Sequence, residues 1–310
     1  MSKKLVVFVI LGLAISGAIF FIFYKSPARL EQKVSDSSDS STVAFIMPAS
    51  QPDYFPLRDF NVSQPTIDAR AAVLFDTRSG RFLYQKDIYK PVPIASLTKL
   101  MTAVVVLENV DLNRDIQVPV EDLNVDGNGA DLVKGEKIRG NDLLKLMLIE
   151  SSNDAALVFG TEAQKQGVDL VKKMNNKALE LGMNSTRFTN PAGLDDNALS
   201  TAADLVKLVE YISKYHKPVW DILKTKSLDI ASSDGAVIHH VVNTDQLLGK
   251  IPDIIGGKTG FTPVALGMMM LVINVDNGVS NLIGVILGSS DRFSEISKLM
   301  GWGKTAYRWQ

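Results

Sequence analysis

Pro93-Ile94-Ala95-Ser96-Leu97-Thr98-Lys99-Leu100-Met101-Thr102-Ala103 is the stretch on which the reading of the whole chain turns. Ser96 and Lys99 stand three residues apart, so in a helix they share one face, one turn from each other. A serine hydroxyl is a weak nucleophile and needs an adjacent base. A lysine amine serves as that base when burial and nearby positive charge lower its pKa. Pro93 sits ahead of a first turn, where its missing N–H costs least, and places the helix start close to Ser96. The positive end of the helix dipole then favours a neutral Lys99 and a developing alkoxide on Ser96. The run continues through Val104-Val105-Val106-Leu107 to about Glu108, apolar on every side, which predicts a helix buried in the middle of a domain.

Around this helix, 310 residues with 46% apolar and 22% charged side chains describe a globular chain of one large or two modest domains. A net charge of −1 argues against a nucleic-acid binder that works by neutralising phosphates. The absence of cysteine removes disulfides, thiol catalysis and thiolate metal sites, without fixing a compartment.

Residues 5–24 form an uncharged apolar run behind Lys3 and Lys4, long enough to span a bilayer. An uncleaved anchor is expected; a secretory signal cleaved near Ser26-Pro27-Ala28 is the alternative. Lys25, Arg29 and Lys33 follow the run and leave its orientation open. The tract Ser35-Asp36-Ser37-Ser38-Asp39-Ser40-Ser41 cannot bury a core. The expected organisation is a transmembrane anchor or signal at 1–25, a flexible linker at 26–66 and a folded domain at 67–310.

Within the domain, residues 71–76 and 81–85 read as a hairpin about Thr77-Arg78-Ser79-Gly80. Residues 116–120 suggest a short strand. Asn141-Asp142 reads as the cap of a helix through Ile149, Val168 to Leu181 as another helix, and Ser200 or Thr201 as the cap of the next. From Lys226 the period turns to two, with strand candidates at 227–230, 236–242, 254–258, 268–275 and 281–287, before a last helix over 292–300. Strands at both ends with helices between predict an α/β (α+β) fold: one sheet assembled from distant segments, with an inserted helical subdomain and no βαβ repeat.

Two further polar clusters interrupt apolar elements. Glu150-Ser151-Ser152-Asn153-Asp154 separates two helices, where Ser151 and Asn153 can be simple caps. Gly256-Gly257-Lys258-Thr259-Gly260-Phe261-Thr262 lies at a strand edge; its glycines allow close backbone approach, and Lys258 with Thr259 suits a carboxylate. It is no P-loop, because Pro252 stands where the first glycine belongs and a strand follows. His239 and His240, adjacent in a strand, point to opposite faces, so no metal site or cofactor is expected from them or from His216. Trp220 and Trp302 read as core or interface residues.

Ser-x-x-Lys, then Ser-x-Asn, then Lys-Thr-Gly, in that order, resembles penicillin-binding proteins and serine β-lactamases. Each outer motif occurs once in the chain. The surrounding residues are most similar to low-molecular-mass D-alanyl-D-alanine carboxypeptidases, the S11 peptidases. They comprise the Ser96 stretch, Ser151-Ser152-Asn153-Asp154-Ala155-Ala156, Phe188-Thr189-Asn190-Pro191-Ala192-Gly193-Leu194-Asp195-Asp196, Asn243-Thr244-Asp245-Gln246-Leu247-Leu248 and Lys258-Thr259-Gly260-Phe261-Thr262, with Gly301-Trp302-Gly303 near the end. The resemblance spans roughly 71–307.

It implies a β-lactamase/transpeptidase-like fold, an antiparallel sheet flanked by helices. It implies that Ser96 attacks the carbonyl of the penultimate D-Ala, Lys99 takes its proton, Ser151 relays a proton to the leaving amine and Asn153 holds the substrate amide. Lys258 and Thr259 would bind the terminal carboxylate, Gly260, Phe261 and Thr262 would complete the substrate-binding edge, and the N–H groups of Ser96 and Phe261 would form the oxyanion hole. The partners implied are peptidoglycan stem peptides and β-lactams that acylate Ser96. No cofactor or metal is implied.

Many relatives carry a second β-rich domain and a C-terminal amphipathic helix. Here the chain ends soon after Trp302, so the N-terminal span is expected to tether an extracytoplasmic catalytic domain to the bacterial cell membrane in a single pass. Leu266 follows Ala265 where the family has Gly or Arg, and Ala192 replaces a polar residue of some relatives. A D,D-endopeptidase uses the same chemistry. A β-lactamase would need a carboxylate that activates the deacylating water, whereas Asp195 and Asp196 read as loop-structuring residues. A catalytically dead binding module is disfavoured because every reactive position is intact.

Overall fold

In the computed structural model, residues 55–123, 127 and 129–309 are described. The apolar run at 5–24, Ser26-Pro27-Ala28 and the Ser/Asp tract at 35–41 lie outside them; among the described residues no helix is long and apolar enough to cross a membrane. In chain order the elements are β1 (Leu57–Arg58), β2 (Ala71–Asp76), β3 (Arg81–Lys86), β4 (Val92–Pro93), α1 (Thr98–Asn109), β5 (Asp115–Gln117), β6 (Lys137–Arg139), α2 (Gly140–Ile149), α3 (Asn153–Lys165) and α4 (Leu170–Glu180). There follow β7 (Leu199–Ser200), α5 (Ala202–Tyr215), α6 (Pro218–Leu223), β8 (Ser227–Ala231), β9 (Ile238–Val242), β10 (Ile254–Thr262), β11 (Leu266–Val275), β12 (Ser280–Ser289), α7 (Arg292–Ala306) and β13 (Tyr307–Arg308).

The main sheet has five antiparallel strands in the order β10-β11-β12-β2-β3, so the first hairpin joins the last three long strands as expected. The period of two divides its side chains between two cores. Ala71, Val73 and Phe75 of β2, with Met268, Met270 and Val272 of β11, face the helical insertion. Ala72 and Leu74, with Met269, Leu271 and Ile273, face Ile296, Leu299 and Met300 of α7. Complete burial of side chains such as Leu74, Leu100 and Ile283 is worth about 1.5–3 kcal/mol each. Every residue of α1 from Thr98 to Val106 is buried, Lys99 included.

Several expectations shift. The folded part begins before Ile67: Leu57–Arg58 pairs with Tyr307–Arg308, and the Arg58 guanidinium lies 5.5 Å from the Trp302 ring. The expected linker at 26–66 therefore runs too far; an isolated two-residue strand leaves no periodic signature. The helix expected to be capped by Asn141-Asp142 starts at Gly140, because β6 runs directly into it and Arg139 occupies the cap position without a side-chain bond. The strand expected at 116–120 is Asp115–Gln117, followed by a 3-10 turn at Val120–Asp122. The last helix continues past 300 to Ala306, since Trp302 and Ala306 carry on its buried stripe. Helix α6, opened by Pro218 at its first position, has no counterpart among the elements expected from the sequence. Of the two residues expected to cap α5, Ser200 and Thr201, it is Thr201 that does so, its side chain accepting from the Asp204 N–H. Leu266, where the family pattern has Gly or Arg, takes φ 63, a left-handed backbone that glycine adopts more readily.

Candidate active site

Ser96 lies in a 3-10 turn, Ala95–Leu97, immediately ahead of α1. Ala95 adopts φ 47, which aims the turn out of the helix line. The loop at 188–196 supports it from below. There Gly193 has φ 78, and a Cβ at that position would land inside the Ala95 carbonyl, 2.8 Å from Thr98 Oγ1. From the other side comes β10: a Cβ on Gly260 would stand 3.1 Å from the Ser96 amide nitrogen and 3.2 Å from the Ile94 carbonyl. The nucleophile turn is thus held between two backbone segments that meet it at glycines.

Lys99 is wholly buried. Its Nζ lies 3.0 Å from Ser96 Oγ, 2.6 Å from Asn153 Oδ1 and 2.7 Å from the Ala192 carbonyl. The last two are acceptors only. A neutral amine gives them its two N–H bonds and turns its lone pair to the Ser96 hydroxyl, the orientation a base requires. Burial, and then the positive charge of Lys258, hold the Lys99 amine well below its ordinary range, against a smaller opposing pull from Asp154.

Ser151 sits between α2 and α3 with φ 67, a strained conformation for a serine. Lys258, also buried, donates to Ser151 Oγ at 2.7 Å and to the Thr259 carbonyl at 3.0 Å. The capping role falls to the residue between the two candidates: Ser152 Oγ accepts from the Ala155 N–H at 3.0 Å and caps α3. Ser151 and Asn153 are left to face Lys258 and Lys99. Burial, then Arg292, lower the Lys258 amine to about 7, while Asp245 opposes them.

Thr259 Oγ1 is 2.6 Å from Thr244 Oγ1. Thr262 donates to Asp196 at 2.8 Å and accepts from the Ala265 N–H, which pins the end of β10 to the 188–196 loop. Asp195 accepts from the Asn197 backbone and side-chain N–H groups, the loop-structuring role read from the sequence. Phe261 remains 60% exposed at the rim. Ser96, Ser151, Asn153, Thr259, Gly260, Phe261 and Thr262 line one cleft of about 670 Å³, with the Lys99 and Lys258 amines reaching its floor through Ser96 and Ser151.

Sequence reasoning missed Arg292, which lines the same cleft from the start of α7, with Nη1 3.4 Å from the Gly260 carbonyl. It also missed Thr244 as a neighbour of Thr259. Thr244 stands in the Asn243-Thr244-Asp245-Gln246-Leu247-Leu248 stretch that carries the family resemblance, but nothing in it pairs Thr244 with Thr259; the order of Ser, Asp and Arg at 289–292 reads only as a helix start. Among the described residues no cluster of His, Asp and Glu could hold a metal ion.

The profile of the S11 peptidases, described as D-alanyl-D-alanine carboxypeptidase, matches residues 58–291. The chain is similar to D-alanyl-D-alanine carboxypeptidase DacF of Bacillus subtilis, 28% identical over 249 residues, which are 77% of this chain and 63% of that protein. The match thus spans less than two thirds of DacF. It is also similar to the D-alanyl-D-alanine endopeptidase of Haemophilus influenzae, 36% identical over 222 residues, 70% of this chain and 74% of that protein. Among solved structures, penicillin-binding protein D2 of Listeria monocytogenes in its cefotaxime-bound form superposes with a TM-score of 0.66 at 31% identity, covering 78% of this chain and 99% of that one. A profile across residues 58–291 and a fold shared with a penicillin-binding protein lead to one conclusion: the chain belongs to the S11 family of serine D,D-peptidases, which includes carboxypeptidases and endopeptidases.

Proposed function

We propose that the protein is a D-alanyl-D-alanine carboxypeptidase that trims peptidoglycan stem peptides through an acyl-enzyme on Ser96. The observation that carries this reading is the buried Lys99 amine, 3.0 Å from Ser96 Oγ and with both other neighbours acceptors. Lys99 removes the hydroxyl proton as Ser96 Oγ bonds to the carbonyl carbon of the penultimate D-Ala. The N–H groups of Ser96 and Phe261 receive the oxyanion, where one such donor is worth about 3 kcal/mol of barrier. Ser151, polarised by Lys258, passes a proton to the amine as the C–N bond breaks and D-Ala leaves. Asn153 holds the substrate amide. Water then attacks the ester, its proton returns Ser96 to the hydroxyl form, and the shortened peptide leaves as the acid.

The terminal carboxylate lies at Lys258, Thr259 and Arg292, along the Gly260-Phe261-Thr262 edge. A carboxylate there offsets the mutual repulsion of Lys258 and Arg292, so substrate binding and the charge of Lys258 reinforce each other. β-Lactams acylate the same hydroxyl. The similarity to the H. influenzae endopeptidase favours a second reading, in which the same groups cut cross-linked dimers. The apolar run at 5–24 anchors the enzyme in the bacterial cell membrane with its domain outside, a placement that rests on the sequence.

A fluorescent penicillin is expected to label the wild type and not Ser96→Ala; an unlabelled wild type removes the reading. D-Ala release from a pentapeptide ending in D-Ala-D-Ala, measured against cleavage of a cross-linked dimer, separates carboxypeptidase from endopeptidase. Rapid turnover of the penicillin points to a β-lactamase. Recovery of the full chain in a detergent-free supernatant, with an intact N-terminus, refutes the anchor.

A further inference from the structure

His239 plays no part in the chemistry above, yet its side chain is buried. It projects inward from β9, while His240 points out to Asp229, so the strand has spent its buried position on an imidazole. His239 Nδ1 lies 2.9 Å from the Ala130 carbonyl, and Nε2 lies 2.6 Å from Glu136 Oε1. Glu136 in turn accepts the Val133 N–H at its other oxygen. A carbonyl and a carboxylate are acceptors only, and a neutral imidazole has one N–H and one lone pair. With Glu136 as a carboxylate, both hydrogen bonds are made together only by the imidazolium; the neutral ring must set its lone pair against an oxygen.

What this cation grips leads back to the reactive groups. The Ala130 N–H is received by both oxygens of Asp154, each at 3.0 Å. Asp154 also takes the Ala155 N–H at 2.8 Å, and so ties this segment to the first turn of α3. Asn153, the residue before it, accepts from Lys99. On the cleft side Gly127 closes over the same residue, and a Cβ there would come 2.8 Å from Asn153 Nδ2. Ala130, held at its carbonyl by His239 and at its N–H by Asp154, therefore sets the wall against which Asn153 is placed.

We propose that His239, as an imidazolium, is a positioning residue for Asn153 and Lys99, acting through Ala130 and Asp154. The surrounding charges fit a cation. Glu136 faces it from the segment before β6, and Asp154 of α3 lies on the far side of Ala130. Glu150 stands at the end of α2; burial and then Asp154 carry its carboxyl to about 7, with His239 pulling the other way and Asp131 adding to the rise. His240 and Asp229 lie on the outer face of the β8–β9 ribbon. Loss of the His239 proton sets a lone pair either against the Ala130 carbonyl, which is then released, or against Glu136, which then no longer holds the ring; in both cases the wall beside Asn153 loosens. Acylation of Ser96 should therefore follow the protonation of a histidine that touches neither substrate nor nucleophile.

The inference rests on Ser96 as the acylated residue, and the test separates the two. The full chain labelled with ¹⁵N-histidine has three histidines, assigned by replacing His216 and His240 with Gln. At the pH of fastest penicillin acylation, both ring nitrogens of His239 are expected to carry protons in a ¹H–¹⁵N correlation spectrum. Glu136→Gln is expected to leave one protonated nitrogen and to slow acylation in parallel. His239→Gln is expected to slow it about tenfold, less than the ~100-fold that a 1 Å misplacement of a reacting group costs, with its pH profile flattened where the wild type changes. Where His239→Gln does not fold, the wild-type NMR titration and acylation profile must share a midpoint. A single protonated nitrogen in the wild type overturns the proposal, as does acylation of His239→Gln within twofold of wild type across the pH range. A wild type that takes no label at all overturns the reading of Ser96 and the positioning role with it, whatever the spectrum shows.

Discussion

Lys258 is a buried amine that the fold does not need, and replacing it with Met should make the protein more stable and inactive. Its amine falls to about 7 in the folded chain, from an ordinary 10.5. The unfolded chain therefore binds a proton between those values that the folded chain does not, so this group's contribution to stability rises with pH from 7 to 10.5. Below 7 both states carry the proton and the penalty is constant. The gap, at about 1.4 kcal/mol per pH unit, sets that penalty at order 5 kcal/mol. Against it stand the bonds Lys258 gives to Ser151 Oγ and the Thr259 carbonyl, together about 2–3 kcal/mol. Lys258→Met, close to isosteric, is then expected to gain about 2 kcal/mol at pH 7, or roughly 4–8 °C in Tm for a domain of this size. Asp245, whose carboxyl burial already pushes up, takes a proton more readily once the cation is gone and adds little cost. Urea unfolding at pH 6, 7, 9 and 10.5 measures the difference. The advantage should vanish and then reverse towards pH 10.5, where the wild-type amine is neutral and only the lost bonds remain. A variant less stable than wild type at pH 7, or a difference that does not change with pH, would refute the reasoning.

The rising limb of penicillin acylation with pH, where Lys99 loses its proton, should lie well below an ordinary lysine's range, because burial and Lys258 hold the amine down; stopped-flow acylation profiles that climb only near 10.5 would remove Lys99 as the base. Gly193→Ala should cost more than the ~1–2 kcal/mol of a left-handed alanine, since its Cβ meets the Ala95 carbonyl, and penicillin labelling should fall further than urea stability because the displaced turn carries Ser96. Ser152→Ala removes the cap of α3 and should lower stability by about 1 kcal/mol; an unchanged urea midpoint would show that Asp154, which also receives the Ala155 N–H, caps the helix alone.

Elements whose cause is local were legible from the order of residues. The short apolar run at Ala71–Asp76 marks a strand that divides its side chains between two cores. Thr201 caps α5 with its own hydroxyl, and Lys99 meets Ser96 because residues three apart share a helical face. Even the split of His239 from His240 follows from the pleat. Where neighbours in space overrode local chemistry, the pattern misled: β6 delivers the chain into α2 without an Asn or Asp cap, and Leu57–Arg58 is a strand because Tyr307–Arg308 lies beside it.

The site divides along the same line. Its residue types and their order along the chain are written in the sequence, as is the pairing of Ser96 with Lys99. Three further features required the folded chain: the junction of Lys258 with Ser151 across 107 residues, that of Lys99 with Asn153 across 54, and the arrival of Arg292 beside Gly260. The state of the amines belongs there too. A lysine's charge is set by how much water the whole fold removes from it and by which cations are packed nearby, and both are sums over distant segments that no stretch of sequence contains.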